Sequence, residues 1–320
     1  MKFRTSLPLP PCASPISYES KLLLLGSCFV TNMGNKFEYY KFDTLLNPFG
    51  ILYHPLAIGN LVRRALEDIP YTEKEIFFRD EGWHCHEVHS ALSRPGPEEL
   101  LDGLNNGLKA TRDAICTGTH IMITLGTAWV YRKNSSGAVV ANCHKIPQKE
   151  FSRELLSPEK IRESLETLEN DVRAANKKLH CLFTISPVRH LKDGFVGNQR
   201  SKARLINALH DMLEARAEDA GLSYFPAYEI LLDELRDYRF YEDDLLHPNS
   251  QAINYVWEVF RQACIDPRAY EVMDQVEEIR KGLQHRPFNP RSESYRQFRK
   301  SLEEKMATLS MRYPVIKFEV

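Results

Sequence analysis

The sequence has no excess of charge of either sign and no long hydrophobic run. Lysine and arginine number 42 against 43 acidic residues, so the net charge is −1 and the sequence pI is near 6.8. This balance argues against a nucleic acid or an anionic membrane as partner. The only apolar run of the N-terminal segment, four leucines at 22–25, is too short for a signal-peptide core or a bilayer span. We therefore expect a small-molecule substrate.

Cysteines are also few and irregularly spaced. There are seven, an odd number without the spacing of a disulfide framework. We therefore predict reduced thiols and a cytoplasmic location. Sequence motifs indicate no cofactor. His84, Cys85, His86 and His89 have a spacing that a metal ion can use, but no second cluster accompanies them. An ordinary polar surface is the better interpretation, and we predict no metal.

Short apolar runs alternate with longer amphipathic segments along the chain. Residues 21–25, 120–125 and 182–185 are typical of strands buried on both faces, and helical patterns of ten or more residues separate such runs. This alternation predicts an α/β fold with a mainly parallel sheet covered by helices on both faces.

Composition also divides the chain into three parts. Residues 1–20, rich in proline between 6 and 15, are predicted to form an extended N-terminal arm on the surface. Residues 21–266 are predicted to form the main domain, and residues 267–320 a charged helical extension interrupted at Pro287 and Pro290. A packed appendage and an oligomerisation element are both compatible with that extension.

Polar and glycine-rich segments follow the predicted strands. Ligands of open α/β sheets collect at the carboxyl ends of the strands, so these segments should meet at one edge. A nucleophile on a strand-to-helix turn, a histidine and a carboxylate are what acyl transfer needs, and glycine turns can present N–H groups to an oxyanion. The segments placed at this edge are Gly26-Ser27-Cys28, Asn47-Pro48-Phe49-Gly50, Gly126-Thr127-Ala128-Trp129 and Ser186-Pro187-Val188-Arg189-His190.

Asp244 and His247 form a D-x-x-H pattern after the last predicted strand. At this spacing on a loop the carboxylate can accept from the imidazole Nδ1–H, which leaves Nε2 to act as a base. An isolated D-x-x-H more often caps a turn. Here Pro-Asn-Ser and an apolar helix follow it, and the glycine-containing segments that end the predicted strands precede it in the chain. We therefore predict that Asp244 and His247 are the acid–base end of a catalytic site.

A basic cluster follows the predicted strand at 182–185. Arg189, His190 and Lys192 are close enough in sequence to contact an anionic part of a substrate, such as a phosphate or carboxylate. A solvated loop is an equally good interpretation of these residues.

The turn after the first predicted strand reads Gly26-Ser27-Cys28-Phe29-Val30. Five further segments follow it in order: NPFGILYHP at 47–55, LGTAW at 125–129, ANCHKIP at 141–147, SPVRHLKDG at 186–194 and LHPN at 246–249. With these segments the chain, from residue 21 to about residue 264, resembles the SGNH/GDSL hydrolase superfamily and, more closely, the GSCFA-domain family. The first motif is the one that names the latter family, with Val30 where the name has alanine.

The resemblance implies a flavodoxin-like three-layer αβα sandwich with a nucleophile after the first strand. It also implies an oxyanion hole built from the N–H of the nucleophile, a second-block glycine and a third-block asparagine. Gly50 is the matching glycine, and Asp244 and His247 match the terminal D-x-x-H. The third block reads Gly126-Thr127-Ala128, so the asparagine is absent and Thr127 is the remaining candidate donor.

The nucleophile is ambiguous. An ungapped match of G-S-C-F to G-D-S-L places Cys28 at the nucleophile position, and a turn shifted by one residue would place Ser27 there. At a helix N-terminus beside a histidine the Cys28 thiolate would be favoured. A lone cysteine is otherwise most often a small buried apolar residue.

The resemblance implies an esterase or acyl hydrolase that acts on an acyl ester or an acylated carbohydrate. Two alternatives stay open: an acyltransferase that uses the same site, and a non-catalytic module that binds an acyl or sugar ligand. The absent oxyanion asparagine is the feature that favours the binding module.

Overall fold

Strands and helices alternate in the computed structural model, which describes residues 5–217, 219 and 221–318. The strands are β1 (Lys21–Gly26), β2 (Asp43–Leu46), β3 (Ile76–Arg79), β4 (Gly82–Cys85), β5 (His120–Leu125), β6 (Trp129–Lys133), β7 (Val139–Val140), β8 (Phe151–Leu155), β9 (His180–Ile185) and β10 (Leu222–Tyr224). The helices are α1 (Cys28–Tyr39), α2 (Pro55–Leu66), α3 (Pro97–Thr117), α4 (Pro158–Ala175), α5 (Gly194–Glu214), α6 (Ala227–Glu229), α7 (Ser250–Cys264), α8 (Tyr270–Gln284) and α9 (Glu293–Arg312).

The central sheet has five parallel strands in the order β10-β9-β5-β1-β2. Gly26 of β1 is in register with Thr124 of β5, which is in register with Thr184 of β9. The carboxyl ends of these three strands therefore lie side by side. The chain leaves β1 towards β2 and returns on the other side at β5, so the strand order reverses between β1 and β5. Ligands of such sheets bind outside this reversal point.

Both faces of the sheet are buried because alternate side chains of each strand enter different cores. One core lies under α2, α3, α4 and α5, and the other under α1, α7, α8 and α9. Side chains of the first core include Leu23, Leu25, Ile121, Ile123, Phe183, Ile58, Leu104, Leu165 and Leu205. Side chains of the second core include Leu22, Leu24, Met122, Leu182, Phe37, Phe260, Val276 and Leu302. The predicted three-layer αβα fold is confirmed.

Two antiparallel units are inserted into this frame. β3 and β4 form a hairpin, and β7, β6 and β8 form a small sheet between β5 and α4. The small sheet begins directly after the carboxyl end of β5. It therefore stands over the edge of the central sheet at which the site residues collect.

The C-terminal helices pack against the rest of the chain. α8 and α9 contact each other, and Val276, Leu302 and Met306 are buried in the second core. The break between the helices spans 285–292 and contains Pro287 and Pro290, at which the interruption was predicted. Of the two interpretations of this extension, the packed appendage agrees with these contacts. No helix in residues 5–217 or 221–318 is both long and apolar enough to cross a membrane.

One expectation is corrected. Cys12 and Cys264 form a disulfide with their Cα atoms 4.9 Å apart, so the prediction that all thiols are reduced is wrong for this pair. The two cysteines are 252 residues apart, a separation that no local spacing pattern reveals.

The disulfide accompanies a docked N-terminal arm. The N–H of Cys12 donates to Ala263 O at 2.7 Å, and the N–H of Ile16 donates to Cys264 O at 2.8 Å. Ile16 is buried in the second core. The end of the arm is therefore packed along the end of α7.

His54 joins α2 to the inserted sheet. Its Nδ1 accepts from the N–H of Ala57 at 3.1 Å and so caps α2, and its Nε2 lies 3.2 Å from Val140 O. Because Nδ1 accepts, Nε2 must carry the proton, and the ring is neutral. Burial lowers the pKa of His54 from 6.5 to about 4, with the hydrogen bond to Val140 opposing the shift.

This lowered pKa makes stability depend on pH. Below pH 6.5 the unfolded chain binds a proton at His54, whereas the folded chain does so only near pH 4. Stability is therefore lost as the pH falls from 6.5 to 4. We predict that His54→Leu lowers the free energy of unfolding at pH 7 by about 2–4 kcal/mol, through the lost cap and the unsatisfied carbonyl.

Denaturant unfolding at pH 7 and pH 5 tests this prediction. Between these two values the wild-type protein should lose about 2 kcal/mol more than His54→Leu does. His285→Gln, at an exposed position, is the control and should behave as wild type. Equal losses in wild type and His54→Leu would contradict the assignment.

Candidate functional site

The turn after β1 depends on a glycine. Gly26 has φ +134°, and an added Cβ would lie 2.2 Å from Thr124 O, so no other residue fits there without displacing β5. The N–H of Ser27 donates to the same carbonyl at 3.1 Å. Ser27 is the N-cap residue of α1, and Cys28 is its first helical residue. The close packing of β1 on β5 therefore decides where the Cys28 side chain lies.

Ser27 and Cys28 have different surroundings. The side chain of Ser27 is fully buried, and its Oγ has no hydrogen-bond partner. Cys28 is partly exposed, and the backbone N–H groups of Cys28 and Phe29 lower the pKa of its thiol. A reagent can therefore reach Cys28 more easily than Ser27.

The net pKa shift of Cys28 is opposite to the one predicted. Burial raises the pKa of the thiol above its ordinary value of 9.0, and this effect exceeds the lowering by the charge of Lys202 and by the two backbone N–H groups. The prediction of a favoured thiolate is therefore wrong for this structure. The helix N-terminus lowers the pKa, as expected, but desolvation is the larger effect.

Lys202 is a site residue that the sequence analysis missed. Its side chain on α5 is fully buried, and Nζ donates to Gly126 O at 2.7 Å and to Ser186 O at 2.6 Å. Burial lowers the pKa of Lys202 from 10.5 to about 7, and the charge of Cys28 opposes this shift. The sequence feature that could have identified it is a lysine in a row of buried positions at helical spacing: Asn198, Ser201, Lys202, Leu205 and Leu209.

The third-block residues are held by Tyr53 and by α5. Tyr53 O accepts from the N–H of Gly126 at 2.8 Å and from the N–H of Thr127 at 3.0 Å. The Thr127 hydroxyl lies 3.0 Å from Ser201 Oγ and accepts from the N–H of Trp129 at 3.1 Å. The N–H groups expected to face an oxyanion are therefore already bonded. Gly126 and Thr127 shape the loop and do not present donors.

The second-block residues support the turn. Asn47 Oδ1 accepts from the N–H of Gly26 at 2.9 Å, and Asn47 Nδ2 donates to Thr31 Oγ1 at 3.3 Å. Gly50 has φ +68°, and its N–H donates to Asn47 O at 2.7 Å. The expected oxyanion role of Gly50 is therefore corrected, because its donor closes a turn. Asn47 fixes the end of β1 and does not line the cavity described below.

Asp244 and His247 are paired as predicted. Asp244 Oδ2 lies 2.6 Å from His247 Nδ1, while Asp244 Oδ1 accepts from the backbone N–H groups of Leu246 and His247 at 2.8 and 2.9 Å. These hydrogen bonds to the N–H and ring of His247 and to Leu246 lower the pKa of Asp244 to about 2. Both side chains are about half exposed. Among the described residues no hydrogen bond joins His247 to Ser27 or Cys28, so the second half of the predicted geometry is absent.

His190 is close enough to Lys202 and His247 for the charges of both to affect its pKa. Its ring packs edge-on against Tyr53 with the centroids 5.3 Å apart, and its Nε2 is buried without a hydrogen-bond partner. Burial, together with the charges of Lys202 and His247, lowers the pKa of His190 from 6.5 to about 4. The imidazole is therefore neutral at pH 7 and has one nitrogen available to a ligand.

The side chain of Arg189 points away from the surroundings of His190. Its guanidinium lies over the ring of Tyr241, 5.6 Å from the centroid, and it lines a separate cavity of about 120 Å³. The predicted cluster of Arg189, His190 and Lys192 is therefore split between two cavities.

His190 opens onto a cavity of about 690 Å³. The cavity lies between the inserted sheet, the loop at 141–148 and the loop after β9. Thr127, Tyr53 and Lys192 also line it, together with Trp129, Tyr131, Val140, Ala141, Asn142, Cys143, Lys145, Ile146, Pro147, Gln148, Phe151 and Asp193. Cys28 and His247 are not in this lining. Tyr53 also lies near the turn after β1, because a Cβ added at Gly126 would lie 3.1 Å from Tyr53 O and 3.2 Å from Ser27 Cβ. Burial raises the pKa of the Tyr53 hydroxyl, and the charge of Cys28 contributes to the rise.

The histidines of the β3–β4 hairpin are bonded within the protein. His84 Nδ1 lies 2.5 Å from Ser93 Oγ, and its Nε2 lies 2.9 Å from Arg79 O. His86 Nδ1 lies 3.1 Å from Asn142 O. In the part of the chain that the structure describes, no group of three or more histidine, cysteine or acidic side chains is arranged to hold a metal ion.

Comparison with known proteins adds a family. Residues 21–260 match the GSCFA family, and residues 276–320 match the GSCFA domain protein, C-terminal domain. No curated protein matches the chain. Among solved structures the chain is similar to a carbohydrate esterase family 3 protein from Talaromyces cellulolyticus, with a TM-score of 0.31 and 11% identity over 81% of this chain and 99% of that one.

The role of Gly26 gives a direct test. We predict that Gly26→Ala lowers the free energy of unfolding by at least about 3 kcal/mol, because the new Cβ overlaps Thr124 O and the backbone has φ +134°. Gly103→Ala is the control. It lies in α3 with nothing within 4 Å of the added Cβ, so it should stabilise the protein by about 1 kcal/mol. A Gly26→Ala variant as stable as wild type in denaturant unfolding would contradict this account of the turn.

Proposed function

This chain belongs to the GSCFA family, and from that membership together with the geometry at the end of β1 we propose that it is an acyl hydrolase of the SGNH type. Cys28 is the proposed nucleophile, and Asp244 and His247 are the proposed acid–base pair. The proposed substrate is an ester or thioester of a small acyl group, carried by an alcohol, a thiol or a carbohydrate.

The position of Cys28 carries this proposal. Its side chain stands on the first turn of α1, at the carboxyl end of a central strand and beside the reversal point of the sheet. It is partly exposed, whereas the Ser27 hydroxyl is fully buried. Of the two candidate nucleophiles, a substrate can approach only Cys28 without opening the turn.

The chemistry follows from the groups around the sulfur. His247 takes the proton of the Cys28 thiol, and the resulting thiolate attacks the acyl carbon. The carbonyl oxygen becomes an oxyanion that the N–H groups at the start of α1 can stabilise. The C–O or C–S bond then breaks, and His247 gives a proton to the leaving alcohol or thiol. Water next attacks the thioester, His247 takes its proton, and the acid and the thiol are released. These steps require His247 Nε2 to reach the leaving group.

Two observations support the alternatives. The occupied N–H groups of Gly126 and Thr127 leave fewer oxyanion donors than an SGNH hydrolase needs, which favours a module that binds an acyl or sugar ligand without turnover. The cavity of about 690 Å³ has room for an acceptor alcohol beside an acyl group, which favours an acyltransferase.

Turnover of p-nitrophenyl acetate tests the hydrolase proposal. We expect Cys28→Ala to lower kcat/KM by at least about 100-fold, because the nucleophile is removed. His247→Ala should cost about 10²–10⁴-fold through the lost acid–base step. Ser27→Ala is the control and should keep wild-type turnover, since its hydroxyl is buried and unbonded.

Other results of the same experiment distinguish the hydrolase from the alternative functions. Equal turnover in all four proteins would refute the proposal for this substrate class. Loss of turnover in Ser27→Ala alone would identify Ser27, and not Cys28, as the nucleophile. Faster release of p-nitrophenol on addition of glycerol, together with a new glycerol ester, would identify the acyltransferase.

The charge of the large cavity bears on the substrate. Lys145 and Lys192 line it, and neither has a carboxylate within ion-pair distance among the described residues. Its one carboxylate, Asp193, is paired with Arg153. The Lys192 ammonium lies 5.0 Å from the centre of the Tyr131 ring. The cavity is therefore positive, and we propose that it receives a substrate with a carboxylate or phosphate group.

Matched esters test the charge preference. We expect Lys145→Gln and Lys192→Gln each to raise KM for p-nitrophenyl hemisuccinate by about three- to fivefold, the size of an exposed ion pair. KM for neutral p-nitrophenyl butyrate should not change. Lys149→Gln, an exposed lysine on the same side but outside the lining, is the control. Equal effects on both esters would reject the anionic substrate and leave the hydrolase proposal intact.

A further inference from the structure

Lys202 is a buried basic residue whose charge acts on the proposed nucleophile, Cys28. We propose that Lys202 is a positioning residue that sets the proton affinity of Cys28, and that its ammonium form stabilises the Cys28 thiolate. The inference rests on the proposed function for the importance of Cys28. The coupling between the two side chains is a separate physical claim, which does not depend on ester turnover.

The hydrogen bonds of Lys202 suit an amine that gains and loses a proton. Its side chain is fully buried, and among the described residues it forms no ion pair with a carboxylate. Nζ donates to Gly126 O and Ser186 O. A neutral amine has two N–H groups, which these carbonyls use, and a lone pair that remains free for a third proton. Both protonation states are thus compatible with the same position.

Packing connects Lys202 to the nucleophile turn. A Cβ added at Gly126 would lie 3.2 Å from Ser27 Cβ, so the backbone at Gly126 lies directly against the residue before Cys28. The carbonyl of that same glycine accepts from Lys202. The strand ends of β5 and β9 thereby hold the amine beside the start of α1. In this desolvated place a charge acts strongly on its neighbours.

The charges act in both directions. Lys202 lowers the pKa of Cys28 against the larger effect of burial, and Cys28 raises the pKa of Lys202 against burial in the same way. Each ion therefore stabilises the other. Moving one proton from sulfur to nitrogen changes a neutral thiol–amine pair into a thiolate–ammonium pair without changing the net charge. The ion pair contains the reactive thiolate.

The other titratable groups facing this pair are neutral near pH 7. His190 has a pKa lowered to about 4, by burial first and then by the charges of Lys202 and His247. Tyr53 has a pKa raised by burial and by Cys28. The nearby side chains of Ser27, Thr124 and Thr184 are uncharged hydroxyls. Lys202 is therefore the group around Cys28 whose charge changes in the neutral pH range, with a pKa of about 7.

Alkylation of the full-length protein by iodoacetamide measures the coupling. The rate at each cysteine is followed by mass spectrometry between pH 6 and 10. We expect Lys202→Met to raise the apparent pKa of Cys28 and to slow its alkylation at pH 8 by about tenfold for each unit of that rise. Cys143 is an internal control, because its own basic neighbour is Lys192. Lys192→Gln should slow Cys143 and leave Cys28 unchanged.

A second measurement keeps Lys202 in place, in case Lys202→Met does not fold. The ¹³Cε resonance of Lys202 is titrated by NMR in wild type and in Cys28→Ser. The midpoint should be lower in Cys28→Ser, because serine cannot form the thiolate–ammonium pair that holds a proton on Lys202. An unchanged midpoint, or an unchanged Cys28 alkylation profile in folded Lys202→Met, would overturn the inference. Normal coupling with no esterase activity would instead reject only the proposed function.

Discussion

The contact between Gly26 and the carbonyl of Thr124 constrains the rest of the site. A side chain at Gly26 would overlap that carbonyl, so β1 can turn into α1 at this place only through glycine. The same carbonyl accepts from Ser27, and Asn47 accepts from the N–H of Gly26. Backbone atoms of β1 and β5, together with the side chain of Asn47 directly after β2, thus fix the first turn of α1. The position of Cys28 is a consequence of strand packing and not of its own contacts.

Polar groups without partners collect around this turn. The hydroxyls of Ser27, Thr124 and Thr184 are buried at the strand ends without hydrogen-bond partners, and His190 has a buried nitrogen in the same condition. Each such group costs about 1–3 kcal/mol. Lys202 adds a buried amine that is matched by two carbonyls and no carboxylate. Stability alone would favour apolar side chains here, so this concentration of polar atoms is typical of a functional site.

The sequence predicted features that depend on periodicity and short spacing. These are the alternation of strands and helices, the strand-end loops and the pairing of Asp244 with His247, which needs only a three-residue separation on one loop. It did not predict the occupied N–H groups of Gly126 and Thr127, because their acceptor is a backbone carbonyl, that of Tyr53, and any residue type supplies one. Lys202 was missed because a helical lysine is normally exposed.

The two parts of the proposed site are held in different ways. Cys28 is fixed by the sheet, whereas Asp244 and His247 form a unit closed on itself. Asp244 accepts from the ring and backbone of His247, and the N–H of Glu242 donates to His247 O at 2.8 Å. Leu245 completes this turn with φ +58°. The orientation of the imidazole is therefore set by hydrogen bonds within its own loop. The Asp244–His247 pair therefore does not depend on contacts with Cys28, and a movement of the loop as a whole would leave the pair intact.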